Sequence, residues 1–119
     1  MRDGPTDVYQ AWDAEWNALY VGISSNAFRR LSEHAGKSEW WERADFIRIN
    51  RYEDRWAARK TEAVFIAIDA PEFNIALDEP AFDAGWEDIH NGIYKYPTIA
   101  EYEFPIELLR GARSWLRHG

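Results

Sequence analysis

Apolar positions recur in two rhythms along the first seventy-six residues. In Val8-Tyr9-Gln10-Ala11-Trp12, Ala18-Leu19-Tyr20-Val21 and Phe46-Ile47-Arg48-Ile49-Asn50-Arg51-Tyr52 they form short, partly alternating runs rich in β-branched and aromatic residues, which predict three strands. The polar-leaning stretch from Asp13 to Asn17 joins the first two as a β-hairpin. At Gly22 the backbone is expected to turn without a Cβ penalty. Ala27, Phe28, Leu31 and Ala35 fall instead at helical spacing, with Ser24 and Ser25 as hydroxyl caps, a start near Asn26 and a stop at Gly36. Residues 37–43 read as a helical turn that plants one of Trp40 and Trp41 in the core. Asp54 predicts the cap of a second helix, from Arg55 to about Asp69, ended by Ala70-Pro71. On that helix Ala57, Val64, Phe65 and Ile68 share the core side, while Glu62 falls at its edge between Ala58 and Ile66. The predicted order is β-β-α-(α)-β-α.

Beyond residue 76 the composition changes. Residues 77–104 hold Pro80, Pro97, many acids and six aromatics, too much apolar surface for a disordered tail. From Pro105 an amphipathic helix is expected, carrying Leu108, Leu109, Ala112, Trp115 and Leu116 on one face. The chain therefore divides into a core, 1–76, and a C-terminal extension, 77–119, packed on the same domain. With 119 residues, 46% hydrophobic and 16% aromatic, it is long enough for one real core. No run approaches the roughly 18 apolar residues of a membrane span, and the first residues do not start a signal peptide. A soluble, cytoplasmic protein is expected. The absence of cysteine excludes a disulfide framework, a thiolate zinc site and a cysteine nucleophile.

The net charge of −7 argues against a protein that holds nucleic acid by bulk electrostatics. Its distribution softens that objection. Residues 1–68 carry ten basic and eleven acidic residues, whereas residues 69–119 carry four basic and ten acidic, a local balance of −6. The acidic extension either completes the core or lies near a cleft, where it would compete with any nucleic acid bound there.

Among candidate groups, Arg30 and His34 stand four residues apart on one helix and can meet Tyr20 of the preceding strand in one cleft. A carboxylate at the edge of an apolar helix face is costly unless neutralised, so Glu62 either pairs with Arg30 or Arg59 or binds a cation. Arg48, Arg51, Arg55, Arg59 and Lys60, with Arg29 nearby, form either a phosphate-tracking stripe or, with Glu53 and Asp54, a solvated mixed surface. Trp40 or Trp41 could stack on a base beside that stripe. His90 and His118 lack metal-ligand spacing.

Tyr20-Val21-Gly22 is preceded by Asp7-Val8-Tyr9, with Tyr9 eleven residues before Tyr20, and followed by Arg30 and His34 at ten and fourteen residues after it. Glu62 then sits on a later helix, and Asn74 follows twelve residues on, behind a proline. Over residues 7–76 this ordered set resembles the GIY-YIG nuclease family, with Asp7 in place of the first glycine. Gly92-Ile93-Tyr94 has no Tyr-Val-Gly partner downstream and is coincidental.

The resemblance implies an α/β (α+β) domain with a three-stranded antiparallel sheet flanked by helices, acting as a metal-dependent DNA endonuclease. In it Glu62 would ligate Mg²⁺, with Mn²⁺ tolerated, and Tyr9 would be the general base. Arg30 would bridge the scissile phosphate, Tyr20 and His34 would orient water or hand on protons, and Gly22 and Asn74 would support the site. A chain this short leaves no room for a separate targeting domain, so specificity would come from DNA structure, a homo-oligomer or a protein partner. The rival reading is a catalytically inactive module of the same fold that binds nucleic acid or protein. A hydrolase using His34 with Ser24 or Ser25 has less support, because those serines are better explained as caps.

Overall fold

The computed structural model describes residues 4–74 and 97–109. Its elements are β1 (Thr6–Trp12), β2 (Ala18–Ser24), α1 (Ala27–His34), a 3₁₀ turn (Glu39–Glu42), β3 (Phe46–Tyr52), α2 (Arg55–Asp69) and β4 (Ala100–Pro105). The fold is mixed α+β, around one antiparallel sheet ordered β2-β1-β3-β4. Among the described residues no helix is long and apolar enough to cross a membrane.

The β1–β2 hairpin turns where expected. Asp13 organises it: Oδ1 accepts from the backbone N–H of Glu15 and of Asn17, and Oδ2 accepts from the Asn17 side chain. Those bonds, the ones from Asn17 first, hold the Asp13 carboxyl below its ordinary range. Trp16 takes a left-handed φ of 64° there and stacks on Phe46 with ring centroids 4.4 Å apart.

Gly22 does not turn the chain. It lies inside β2, paired with Tyr9, and the strand runs on to Ser24. The α1 cap also differs from expectation: Asn26, not a serine, accepts from Arg29 N, while Ser24 Oγ bonds the Asn26 backbone. Asn26 has the same short polar reach as serine and sits one residue before the first helical position, so it takes the role. Asp7, standing where the family pattern has glycine, adds to this helix start, since its buried carboxylate accepts from Ala27 N at 2.9 Å and from Arg51 at 3.1 Å.

Alternation divides the sheet's side chains between two cores. Tyr9, Ala11, Ile47 and Ile49 face α1 and the 3₁₀ turn, where they pack with Leu31, Trp40, Trp41 and Ile106. Val8, Val21 and Tyr52 face α2 through Ala58. Both tryptophans of the 3₁₀ turn are buried, where one was expected. Phe28 and Ile68, assigned to core faces from spacing, are 45% and 54% exposed. Each helix is rotated from the predicted wheel: His34 takes the inward place on α1, and Thr61 with Ala58 takes it on α2. As expected, Asp54 caps α2, accepting from Ala57 N, and the helix ends at a left-handed Ala70 before Pro71.

The three-stranded sheet expected from the sequence gains a fourth strand. β4 pairs with β3 from Arg51↔Ala100 to Phe46↔Pro105, so Pro105 closes an edge strand, where a missing N–H is tolerated, instead of opening a helix. Ile106 N donates to Asp45 O and its side chain is 1% exposed in the first core. A helical turn follows at 107–109, and the remainder of the expected helix lies outside the described residues. The same is true of residues 75–96, which include most of the acidic aromatic stretch.

Candidate active site

Tyr9, in the central strand β1, is packed from both sides. On one side is the bare Cα of Gly22, its partner on β2: a Cβ there would stand 2.4 Å from both Cζ and Oη of the Tyr9 ring and 3.0 Å from Tyr20 Cε2. Glycine is needed for this close approach and not for a turn. On the other side α1 turns His34 inward, and Tyr9 Oη lies 3.1 Å from His34 Nε2 in a buried hydrogen bond. His34 Nδ1 is engaged as well, by Ser38 Oγ at 2.5 Å.

Aromatic rings wall the histidine. Tyr20 meets it edge-on at 5.4 Å and stacks on Trp40 at 5.2 Å with the planes 8° apart, and Trp40 lies 4.9 Å from the imidazole. Arg30, one turn before His34, stands at the surface with its side chain 46% exposed, paired with Glu33 at 3.0 Å. Its charge acts on the Tyr9 phenol.

Protonation follows from burial. Desolvation, then the neighbouring Tyr20, push the Tyr9 phenol well above its ordinary range, and Arg30 offsets only part of this. Burial, helped by Arg30, pulls His34 below its ordinary range against the opposing pull of Glu33. In the resting site both groups are therefore neutral at pH 7. Tyrosinate does not form here under the influence of Arg30 alone.

No family model, curated protein or solved structure matches this chain.

The residues singled out from the sequence fall into two groups. Tyr9, Tyr20, Gly22, Arg30 and His34 come together on the α1 face. Asn74 joins them from behind: its Oδ1 accepts from Val21 N and its Nδ2 donates to Val21 O, both at 2.8 Å, so that it pairs with β2 as a neighbouring strand would. Glu62 stands apart on α2, which packs on the opposite face of the sheet. Burial raises its carboxyl above the usual range, and Arg59 and Arg55 of its own helix, not Arg30, oppose that rise. Among the described residues no three His, Cys, Asp or Glu side chains gather to hold a metal ion.

The basic residues do not make one stripe. Arg48 and Arg51 project to opposite faces of β3, Arg48 beside Glu103 at 3.4 Å and over the Trp12 ring, Arg51 on Asp7. Arg29 shares Glu33 with Arg30, and Lys60 lies over the Trp56 ring. A cleft of about 940 Å³ opens between α2 and β3–β4, lined by Arg48, Asn50, Tyr52, Thr61, Glu101 and Glu103 among others. It lies on the α2 face, and none of the Tyr9 cluster lines it.

Trp40, read as a core or base-stacking ring, supplies the wall behind Tyr20, and one member that was not read from the sequence, Ser38, holds the second nitrogen of His34. The run His34-Ala35-Gly36-Lys37-Ser38 carried a signal for the latter, since a glycine just past a helix end reverses the chain.

Proposed function

We propose that the protein is a hydrolase of phosphodiester bonds, a DNA endonuclease of GIY-YIG type. The observation that carries this reading is the buried Tyr9–His34 hydrogen bond lying behind a surface arginine, assembled by the residues whose order resembles that family. An arginine at the mouth of such a site suits a phosphate, which its planar fork can hold through two donors. A buried neutral tyrosine hydrogen-bonded to a buried neutral histidine suits proton transfer and has little structural use that phenylalanine and leucine would not serve better.

In this reading Arg30 leaves Glu33 for the scissile phosphate and bares the Tyr9 oxygen. Attacking water forms the new P–O bond and gives its proton to that oxygen, while Tyr9 passes its own proton to His34 Nε2, and the P–O bond to the leaving 3′ oxygen breaks. The transfer is uphill in the resting site, where Tyr9 is raised and His34 lowered. A bound phosphate relieves the part of that barrier that lies on His34, because it neutralises the Arg30 charge that helps to keep the ring unprotonated; the same neutralisation leaves Tyr9 a poorer acid, so Tyr9 must take the water proton as it gives up its own.

The donor chemistry fits a hard divalent cation at Glu62. Mg²⁺ commonly takes one or two carboxylates and fills its other positions with water and phosphate, and a carboxyl raised by burial gains most from a cation beside it. When bound, Mg²⁺ or Mn²⁺ would supply positive charge to phosphoryl oxygens, and because α2 packs on the face opposite the Tyr9 cluster, a substrate would have to span the β2 edge to meet both.

Incubation with supercoiled and branched DNA in Mg²⁺, Mn²⁺ or EDTA, beside Glu62→Ala, Arg30→Ala and Tyr9→Phe, tests the reading. Cleavage should need the metal and all three side chains. Cleavage that survives EDTA or the Glu62 change would remove the metal from the mechanism. The second reading, an inactive module that binds nucleic acid or a protein, is favoured by the acid partners that Arg29, Arg30, Arg48 and Arg51 already have. Binding of DNA without cleavage would select it.

A further inference from the structure

We propose that Ser38 is a positioning residue that fixes the tautomer of His34, so that Nδ1 carries the ring proton and Nε2 is left bare to accept the proton of Tyr9. The bonds to the ring are geometric, while the direction in which they run and its catalytic consequence rest on the phosphodiesterase reading.

The local backbone delivers Ser38 to this position. After the α1 cap at Ala35, Gly36 adopts a left-handed φ of +75° and the chain folds back, so that Lys37 N and Ser38 N both donate to His34 O at 2.9 and 3.0 Å. Ser38 then stands just before the 3₁₀ turn in extended conformation, with φ −91° and ψ 137°. A serine there would ordinarily turn its hydroxyl onto the N–H groups of the turn it precedes. This one makes no such cap bond, and its Oγ lies instead on His34 Nδ1 at 2.5 Å. The hydroxyl is thus diverted from a structural use to the ring.

The direction of the chain of bonds follows from its members. A neutral imidazole donates from one nitrogen and accepts at the other. Ser38 and Tyr9 can each donate or accept, so neither hydroxyl alone decides. On the phosphodiesterase reading catalysis decides, because Tyr9 must give up its O–H proton as it takes one from water, so that O–H must point at an acceptor. Nε2 at 3.1 Å is that acceptor, which leaves the ring proton on Nδ1 and makes Ser38 Oγ its acceptor. A hydroxyl does this without adding charge. A carboxylate in the same place would draw the ring toward imidazolium and remove its ability to accept from Tyr9.

The experiment is long-range ¹H–¹⁵N correlation on the full chain labelled with ¹⁵N-histidine at pH 7.5, which reads the tautomer of each ring. There are three histidines, and His34→Gln assigns the His34 signals. In the native chain His34 should be in the Nδ1–H form. Ser38→Ala should shift it to a mixture or to the Nε2–H form, and Ser38→Thr should restore it. On the phosphodiesterase reading Ser38→Ala should also lower kcat about ten- to a hundredfold with little change in KM, and Ser38→Thr should recover most of the loss. A native His34 in the Nε2–H form overturns the proposal, whether or not the alanine variant folds. So does an unchanged tautomer in a folded Ser38→Ala. An Nδ1–H ring that responds to Ser38, in a protein that cleaves no DNA, supports the positioning role and refutes the nuclease reading instead.

Discussion

Gly22→Ala tests whether the close approach of β2 to Tyr9 holds the site together. Gly22 has no positive φ, so alanine pays no backbone strain there. By itself the change should stabilise the fold by about 0.4–1 kcal/mol, through a less flexible unfolded chain. The new methyl, however, would stand 2.4 Å from Tyr9 Cζ and Oη, a full 1.0 Å short of the ordinary contact range of 3.4–4 Å. Tyr9 is 1% exposed, and its ring has no open side to move into. Overpacking of this kind costs about 1–3 kcal/mol, and a displaced ring also loses the bond to His34, about 1 kcal/mol. The balance is a loss of about 2 kcal/mol, or roughly 6–10 °C in Tm for a domain of this size. Urea unfolding of Gly22→Ala, Tyr9→Ala and the double variant measures it. If the clash with Tyr9 is the cause, Gly22→Ala becomes neutral or slightly stabilising once Tyr9 is alanine. Equal costs in the two backgrounds would refute the explanation.

Asp7→Asn keeps the shape and an acceptor for Ala27 N but loses the charge opposite Arg51, and should lower stability by about 1–2 kcal/mol in denaturant titration. Ile106→Ala should cost about 2–4 kcal/mol, and a chain ending before residue 97, which lacks both β4 and Ile106, should aggregate and not emerge as a freer DNA binder; thermal melts and light scattering decide. His34 and Tyr9 shape the pH profile together with Tyr52, whose phenol is also raised by burial and which adds to the alkaline flank. The folded pKa of His34 lies below its unfolded value, so its contribution is fully present above about pH 6.5 and is lost as pH falls toward the folded value. Tyr9, whose folded pKa is raised, contributes stability below about pH 10 that disappears as pH rises past it. Unfolding curves from pH 5 to 11 should show both flanks, the acidic one flattened in His34→Gln and the alkaline one in Tyr9→Phe.

Elements with local signals were legible in the sequence. The hairpin turn on Asp13, the strand 46–52 and the Asp54 cap each depend on side chains within a few residues, and each lies where spacing and turn chemistry put it. What was not legible depended on partners far along the chain. Phe28 reads as a core residue by helical spacing, but β4 lies on that side of the sheet and Phe28 stacks beside Phe104 and Tyr102 at a partly exposed seam. The segment Ala100–Pro105 does alternate, with Tyr102 and Phe104 on one face and Glu101 and Glu103 on the other. Its proline and its setting in an acidic stretch hid a strand that only the free edge of β3 explains. For the site, motif spacing brought forward Tyr9, Tyr20, Arg30 and His34, whereas Ser38 is visible only once the ring nitrogens have been accounted for one by one.

The arrangement of charge gives the acidic composition a mechanical meaning. Glu33 lies within one helical turn of both Arg29 and Arg30, at 3.9 and 3.0 Å, on surfaces about half exposed. Exposed pairs of this kind contribute about 0–1 kcal/mol, so a phosphate can displace Glu33 at little cost. The buried Asp7–Arg51 pair is different. Its carboxylate is 3% exposed and also holds the start of α1, so Arg51 is committed to the fold and unavailable to a ligand. Two arginines in acid pairs thus have opposite fates, decided by burial. Net charge alone therefore misjudges the site, because the acid paired with Arg30 is a removable partner and the acid paired with Arg51 is a structural one.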